Sequence, residues 1–251
     1  MSKKDQYIHG MDWTFQHKKG LSELANYRKY QFNLIKKNLG RNILEVGSGD
    51  KGFTAQMIQS GLPIDRLVSI EPSDDFYTHY QNNDTFPEYV KFTKEDLFSL
   101  TPETHGKFDT LVFIHVLEHI EKHREALDLS ASLLESGGHV LIEVPAGPYL
   151  FSVHDDLLGH YRRYTKKILR SAINEKYYET ERIWYNDPIG VLGSFVYFKL
   201  LRKKLNTQEG ASLVKNQGSL YDKYVIPFEQ SIEKYFTFPF GLSLTAILKR
   251  K

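Results

Sequence analysis

Apolar residues recur at helical spacing from Asn26 to Leu39, at Tyr27, Tyr30 and Leu34, until Gly40 ends the pattern. Asn42 to Val46 is then a short, almost continuously apolar run, as expected of a strand buried on both faces. Similar runs at Arg66–Ile70, Tyr89–Phe92, Thr110–Ile114 and His139–Val144 alternate with stretches of helical periodicity. Strands separated by helices imply a parallel sheet covered on both faces. Past Tyr178, two further strands are predicted at Arg182–Tyr185 and Leu242–Leu248, separated by a long, partly helical insertion. No internal repeat or low-complexity segment interrupts the pattern.

Composition narrows the class. With 251 residues, 41% of them hydrophobic and 25% charged, one α/β domain spanning 1–251 is expected. The chain has no cysteine, which excludes disulfides, thiolate catalysis and cysteine-ligated zinc. Its first residues, MSKKDQYIHG, lack the apolar stretch of a signal peptide, and a cytoplasmic location is expected. A net charge of +2 gives no electrostatic case for a polyanionic partner. The run Val191–Leu201 is broken by Gly193, Ser194 and Lys199, short of the roughly 20 apolar residues of a spanning helix. Residues 189–204 therefore suit a lid, a subunit interface, core packing or peripheral membrane contact, and oligomeric state stays open.

Chemistry first shows in Glu45-Val46-Gly47-Ser48-Gly49-Asp50-Lys51-Gly52, a glycine loop between the first strand and the helix that Thr54 to Gln59 begins. Glycines there let the backbone turn tightly and approach a ligand. Dinucleotide enzymes share such loops, and a purely structural turn is the simpler alternative. Glu45, ahead of the first glycine, is placed to meet a ligand ammonium. Glu71 ends the second strand about 20 residues further on, where an acid accepts hydrogen bonds from ribose hydroxyls. After the third strand, Asp96 is placed to accept from an adenine amino group and Leu97 to pack on the ring; alone, that tetrapeptide reads as a helix cap.

Taken in order, Ile43 to Phe53, Ile70-Glu71-Pro72, Glu95-Asp96-Leu97, Phe108-Asp109 through His115-Val116-Leu117-Glu118-His119-Ile120, and Leu133 to Gly138 resemble the successive motifs of class I S-adenosylmethionine (SAM) dependent methyltransferases. The resemblance implies a Rossmann-like α/β fold, with a mostly parallel seven-stranded sheet, an antiparallel last strand and a helical insertion before it. It divides the chain into an N-terminal helical cap (1–40), a SAM-binding core (41–178) and C-terminal strands with the insertion (179–251). It implies SAM as cofactor, Glu45, Gly47 and Gly49 around the methionine moiety, Glu71 on the ribose, Asp96 and Leu97 around adenine, and His115 near the sulfonium. Asp50 and Lys51 replace the usual small residue between the second and third glycines, leaving Gly52 without a clear role. Val144-Pro145-Ala146, Asp155 and Gly159-His160-Tyr161-Arg162-Arg163-Tyr164-Thr165 look like a bacterial subgroup associated with surface-glycan or secondary-metabolite pathways.

Methyl transfer requires the acceptor to be aligned, desolvated and, for a hydroxyl or ammonium, deprotonated. His119 and His160 are the candidate bases, each just beyond a strand end. Tyr161, Arg162, Arg163 and Tyr164 are candidate binders of an anionic or hydroxylated substrate; the alternative is a hydrogen-bonded cap on the insertion. His115-x-x-Glu118-His119, with His160, also has metal-ligand spacing, similar to methyltransferases acting on the terminal 2′-hydroxyl of small RNAs. With His115 where those enzymes carry a carboxylate, no metal is expected to be needed. The favoured function is O- or N-methylation of a small molecule or of a glycan or secondary-metabolite intermediate. An RNA methyltransferase lacks its basic stripe and aromatic platform here, and a non-catalytic SAM- or NAD-binding protein is the third reading.

Overall fold

The computed structural model describes residues 25–81, 86–195 and 220–251. Among these, the strands are β1 (Asn42–Val46), β2 (Arg66–Ile70), β3 (Val90–Thr93), β4 (Phe108–Ile114), β5 (Leu134–Pro145), β6 (Tyr178–Asn186) and β7 (Ser243–Arg250). The helices are α1 (Ala25–Ile35), α2 (Gly52–Gln59), α3 (Asp74–Tyr80), α4 (Pro102–His105), α5 (His123–Leu133), α6 (Val153–Leu157), α7 (Lys166–Ala172), α8 (Pro188–Ser194) and α9 (Ile226–Glu233).

Alternate residues of the central strands enter opposite layers because side chains on a strand alternate in direction. Leu44, Val68, Leu111 and Val140 face one layer, which α5 completes with Ala126, Leu127 and Ala131 and α7 with Leu169. Ile43, Leu67, Val112 and Leu141 face the other, which α1 completes with Phe32 and Ile35 and α2 with Phe53 and Met57. Both faces being covered is what makes these strands predominantly apolar.

All seven strands form one sheet, in the order β3-β2-β1-β4-β5-β7-β6. β1 is parallel to β2 and β4, and β7 runs antiparallel to β5 and β6. This is the expected fold. Because the chain moves outward from β1 to one side and then crosses to β4 on the other, the C-terminal ends of β1 and β4 flank a topological switch point, where open α/β sheets hold ligands.

Two strands are longer than their apolar patterns suggest. β5 begins at Leu134, opposite Phe108, and a register shift absorbs Glu135-Ser136-Gly137-Gly138 within the strand. Gly137 has φ +81°, and a Cβ on Gly138 would lie 2.7 Å from the carbonyl oxygen of Asp109, so glycine lets the strands approach there. β6 reaches back to Tyr178, whose buried hydroxyl donates to the Leu127 carbonyl, while exposed Glu179 to Arg182 hide the strand from apolar patterning. The N-terminal helix tightens into a 3-10 turn at Lys36–Asn38. Of the range 189–204, α8 (Pro188–Ser194) covers the first part, and 196–204 lie outside the described residues. No helix among the described residues is long and apolar enough to cross a membrane.

Candidate active site

At the switch point the glycine loop separates two hollows. One, of about 370 Å³, is lined by Glu45, Gly49, His115, Glu118, His119 and His160 together with Tyr27, Arg28 and Gln31 of α1. The other, of about 430 Å³, is lined by Pro72, Ser73, Asp96, Leu97, Phe98, Val116 and Tyr161. Val46, Gly47 and His119 border both.

The loop's conformation requires its glycines. Gly47 and Gly49 have φ of +69° and +53°. A Cβ on Gly47 would lie 2.8 Å from Val116 Cγ2, so the contact it protects is with the protein; a Cβ on Gly49 would meet open space. Gly52 also has a clear role. The guanidinium of Arg28 lies over it, 1.3 Å from where a Cβ would be, and forms a two-pronged pair with Asp50 at 3.1 and 2.5 Å. Asp50 also accepts from the Gly52 N–H. Lys51, left-handed at φ 58° and buried, places its ammonium 4.6 Å and 4.8 Å from the ring centres of Phe86 and Phe92. The substitutions that set this loop apart thus tie it to α1 and to β3.

Glu45 is buried in β1 and accepts from Thr54 Oγ1 (2.5 Å) and Ser69 Oγ (2.7 Å) through Oε2. Burial pushes its pKa up to about 7 against these two hydrogen bonds. Glu71, at the end of β2, is fully buried: Oε2 accepts from the Gly49 N–H (2.8 Å) and Oε1 from the Ser73 N–H (2.9 Å). The acid thereby braces the glycine loop. Asp96 caps the 3-10 turn Leu97–Ser99 through the Phe98 N–H (2.8 Å) and lines the second hollow. Leu97 is 3% exposed and Phe98 45%, so the larger apolar surface offered there belongs to Phe98, which the sequence reading did not single out.

His115 follows β4 in a left-handed conformation, φ 54°. Its Nδ1 lies 3.4 Å from Glu118 and its Nε2 3.5 Å from Glu143. Burial opposes its charge, but the two carboxylates prevail and raise its pKa to about 10. Gln31 of α1 donates to Glu143 (3.0 Å). Glu143 is an acid within an apolar strand, a signal present in the sequence; its place beside His115 follows from the pairing of β4 with β5.

His119 and His160 meet edge to face, ring centres 4.6 Å apart. Burial and neighbouring His160 lower the pKa of His119 to about 3, so its ring is neutral. His160 Nδ1 lies 2.9 Å from Asp155 Oδ1. Asp155 also accepts from Arg163 Nε (2.7 Å) and, through Oδ2, from Ser152 N–H and Oγ in a capping box that starts α6. Although burial opposes ionisation, His160 and Arg163 hold Asp155 well below the usual carboxylate range. An ionised Asp155 requires the hydrogen on His160 Nδ1, which leaves Nε2 as the lone-pair nitrogen of the neutral ring. In the sequence the Ser152-x-x-Asp155 spacing marks a capping role for Asp155; its hold on His160 is set by the turn that follows.

The four residues expected to bind substrate divide sharply. Arg162 donates to the carbonyls of Leu117 (3.3 Å), Ile120 (2.6 Å) and Glu121 (2.9 Å). Arg163 is buried against Asp155 and the Ala146 carbonyl, and Tyr164, fully buried, donates to the Leu117 carbonyl. Through these bonds the three residues hold the loop against the ends of β4 and β5, the contacts expected of a hydrogen-bonded cap. Tyr161 lines the second hollow.

The family model described as "Methyltransferase domain" matches residues 16–185. No curated protein matches the chain. Among solved structures, a methyltransferase in complex with the Haloferax volcanii Trm112 methyltransferase activator is similar at 12% identity, with TM-score 0.62 and coverage of 97% of this chain and 96% of that one. The plantazolicin methyltransferase BamL, solved with a triazolic desmethylPZN analog and S-adenosylhomocysteine, is 12% identical, with TM-score 0.58 over 99% and 96% of the two chains. The N-methyltransferase NodS from Bradyrhizobium japonicum, in complex with S-adenosyl-L-homocysteine, is 13% identical, with TM-score 0.53 over 89% and 85%. Carrying the fold of SAM-dependent methyltransferases and matched by the family model over well more than half its length, the chain belongs to the methyltransferase domain family.

Proposed function

We propose that this protein transfers a methyl group from SAM to an oxygen or nitrogen of a small molecule, such as a glycan or secondary-metabolite intermediate, with His160 as the base. One observation carries the reading: Asp155 fixes His160 in the tautomer a base needs, on the wall of the hollow that the glycine loop also lines. SAM supplies an electrophilic methyl on a sulfonium. The methionine moiety belongs to the hollow of Glu45, Gly47 and Gly49, its ammonium favouring the ionised form of Glu45. The adenosine belongs to the hollow of Asp96, Leu97 and Phe98, with Glu71 toward the ribose. Around the sulfonium, Glu118 and Glu143 outnumber the imidazolium of His115, so the local charge suits a cation.

The acceptor approaches from the side of His119, His160 and Tyr161. His160 Nε2 takes the acceptor's proton as the methyl moves, and neutral His119 packs beside it. Relatives of the same fold include a natural-product methyltransferase and an N-methyltransferase, which supports the small-molecule class. The chain is read as one domain over 1–251, acting in the cytoplasm.

Two measurements test this. Calorimetry should show SAM and S-adenosylhomocysteine binding; NAD binding without response to SAM would overturn the assignment. His160→Ala should leave SAM affinity nearly unchanged and lower turnover about 10²–10⁴-fold, the range of a positioned base. Full turnover in both His160→Ala and His119→Ala would remove both imidazoles from the chemistry.

A further inference from the structure

We propose that Glu118, His119 and His160 also form a binding site for a divalent transition-metal ion of the zinc type, which is not needed for methyl transfer and blocks it when bound. Each of the three offers one ligand atom within 4.8 Å of the others. Glu118 is fully buried, and neither of its carboxylate oxygens has a hydrogen bond among the described residues; its nearest cationic neighbour is His115 Nδ1 at 3.4 Å. Buried carboxylates are ordinarily hydrogen-bonded, paired or coordinated to a metal, and this one stands beside two imidazoles on the wall of a hollow.

The ligand chemistry selects the ion. Two imidazoles and one carboxylate are a set that suits zinc and its neighbours, whereas magnesium and calcium prefer oxygen. Three protein ligands leave a coordination position for water or the acceptor. A histidine that ligates a metal commonly donates its other N–H to a carboxylate, which fixes its tautomer and orientation. Asp155 already does this for His160 at 2.9 Å, and is itself held by Arg163 and Ser152.

The inhibitory consequence rests on the reading of His160 as base. Nε2 has one lone pair, and the nitrogen that ligates a metal cannot accept a proton. The ion and the acceptor's proton therefore compete for the same atom.

The test uses the full chain, dialysed against chelator and titrated with Zn²⁺ by calorimetry, and with Co²⁺ as a visible-absorption probe. One equivalent should bind. Glu118→Gln and His119→Ala should each abolish or strongly weaken binding, and Asp155→Asn should weaken it by about 10–100-fold, the effect of losing a carboxylate behind a ligating histidine. Circular dichroism and a thermal melt report whether each variant is folded, and Glu118→Gln preserves side-chain volume where His119→Ala does not. Zn²⁺ should suppress turnover and chelator restore it. Absence of Zn²⁺ and Co²⁺ binding, or binding unchanged in all three variants, would overturn the site while leaving the proposed function intact. Zn²⁺ binding that raises turnover would instead keep the site and overturn His160 as base.

Discussion

At the residue scale, the glycine loop shows how one position can be constrained for two reasons. Gly47 combines a left-handed backbone with a side-chain-free approach to Val116, which lines the second hollow. Gly49 has the backbone constraint alone. Gly47→Val should therefore abolish SAM binding in calorimetry, since the added carbons meet Val116 and displace the wall the cofactor spans. Gly49→Ala should cost only the left-handed strain of about 1–2 kcal/mol, equivalent to roughly a tenfold loss of affinity if that strain falls on the ligand-bound state. Equal binding by the two variants would show that neither contact with Val116 nor backbone geometry shapes the site. His115 and Asp187 share the left-handed region without being glycine, and both stand among buried carboxylates. Side-chain interactions there accompany a conformation that costs energy.

Elements act through the same contacts. Helix α1 contributes Arg28 and Gln31 as well as core residues, so the site is partly built by a segment before the first strand. Arg28 and Asp50 are 22% and 14% exposed, which sets their pair apart from surface ion pairs. A double-mutant cycle on Arg28→Ala and Asp50→Ala, read by SAM affinity, should give a coupling above the ~1 kcal/mol ceiling of exposed pairs. Gly52→Ala should mimic the loss of Arg28, because its Cβ would occupy the guanidinium's place. Additivity within error would mean that α1 merely packs against the loop. The element after β5 behaves similarly: the Gly159 to Thr165 segment is fixed by the Tyr161 N–H on the Glu118 carbonyl and by the Tyr164 N–H on the Pro145 carbonyl. Its arginines hold the loop so that one histidine faces the hollow.

For the whole molecule, a buried acidic cluster joins distant parts of the chain. Tyr30 of α1 donates to Glu233 of α9 (2.5 Å), the Asp187 N–H meets both, and Tyr221 donates to Asp187 and to Glu229. Burial first, then Asp187, raise the pKa of Glu229 to about 8. A carboxyl whose folded pKa exceeds its unfolded value of 4.5 stabilises fully below 4.5, and that stabilisation is lost as pH rises through about 8. The wild-type melting temperature should therefore fall between pH 6 and pH 8.5 more than that of Glu229→Gln, which has no proton to lose. Parallel melting curves for the two proteins would exclude this titration from the fold's pH dependence. Leu192, Phe195, Leu220, Tyr224 and Phe228 are exposed on the insertion.

The sequence by itself determined the elements that depend on local pattern. β1 and β2 run over the residues their apolar runs predict, and β4 and β7 differ by a few residues at their ends, because burial on both faces leaves a nearly unbroken apolar signal, while the edge strand β3 is displaced by one residue. The glycine loop and the histidines were legible for a related reason: chain direction and strand ends place them. What pairs with what was decided only by tertiary structure. Arg28 reaches Asp50 across 22 positions, Glu143 meets His115 from a neighbouring strand, and Arg162 finds three carbonyls more than 40 positions away. Local periodicity reports which face a side chain takes but not which donor or acceptor it finds there. That is why the partners of Arg162, Arg163 and Tyr164, and the contact of Asp155 with His160, are seen only in the fold.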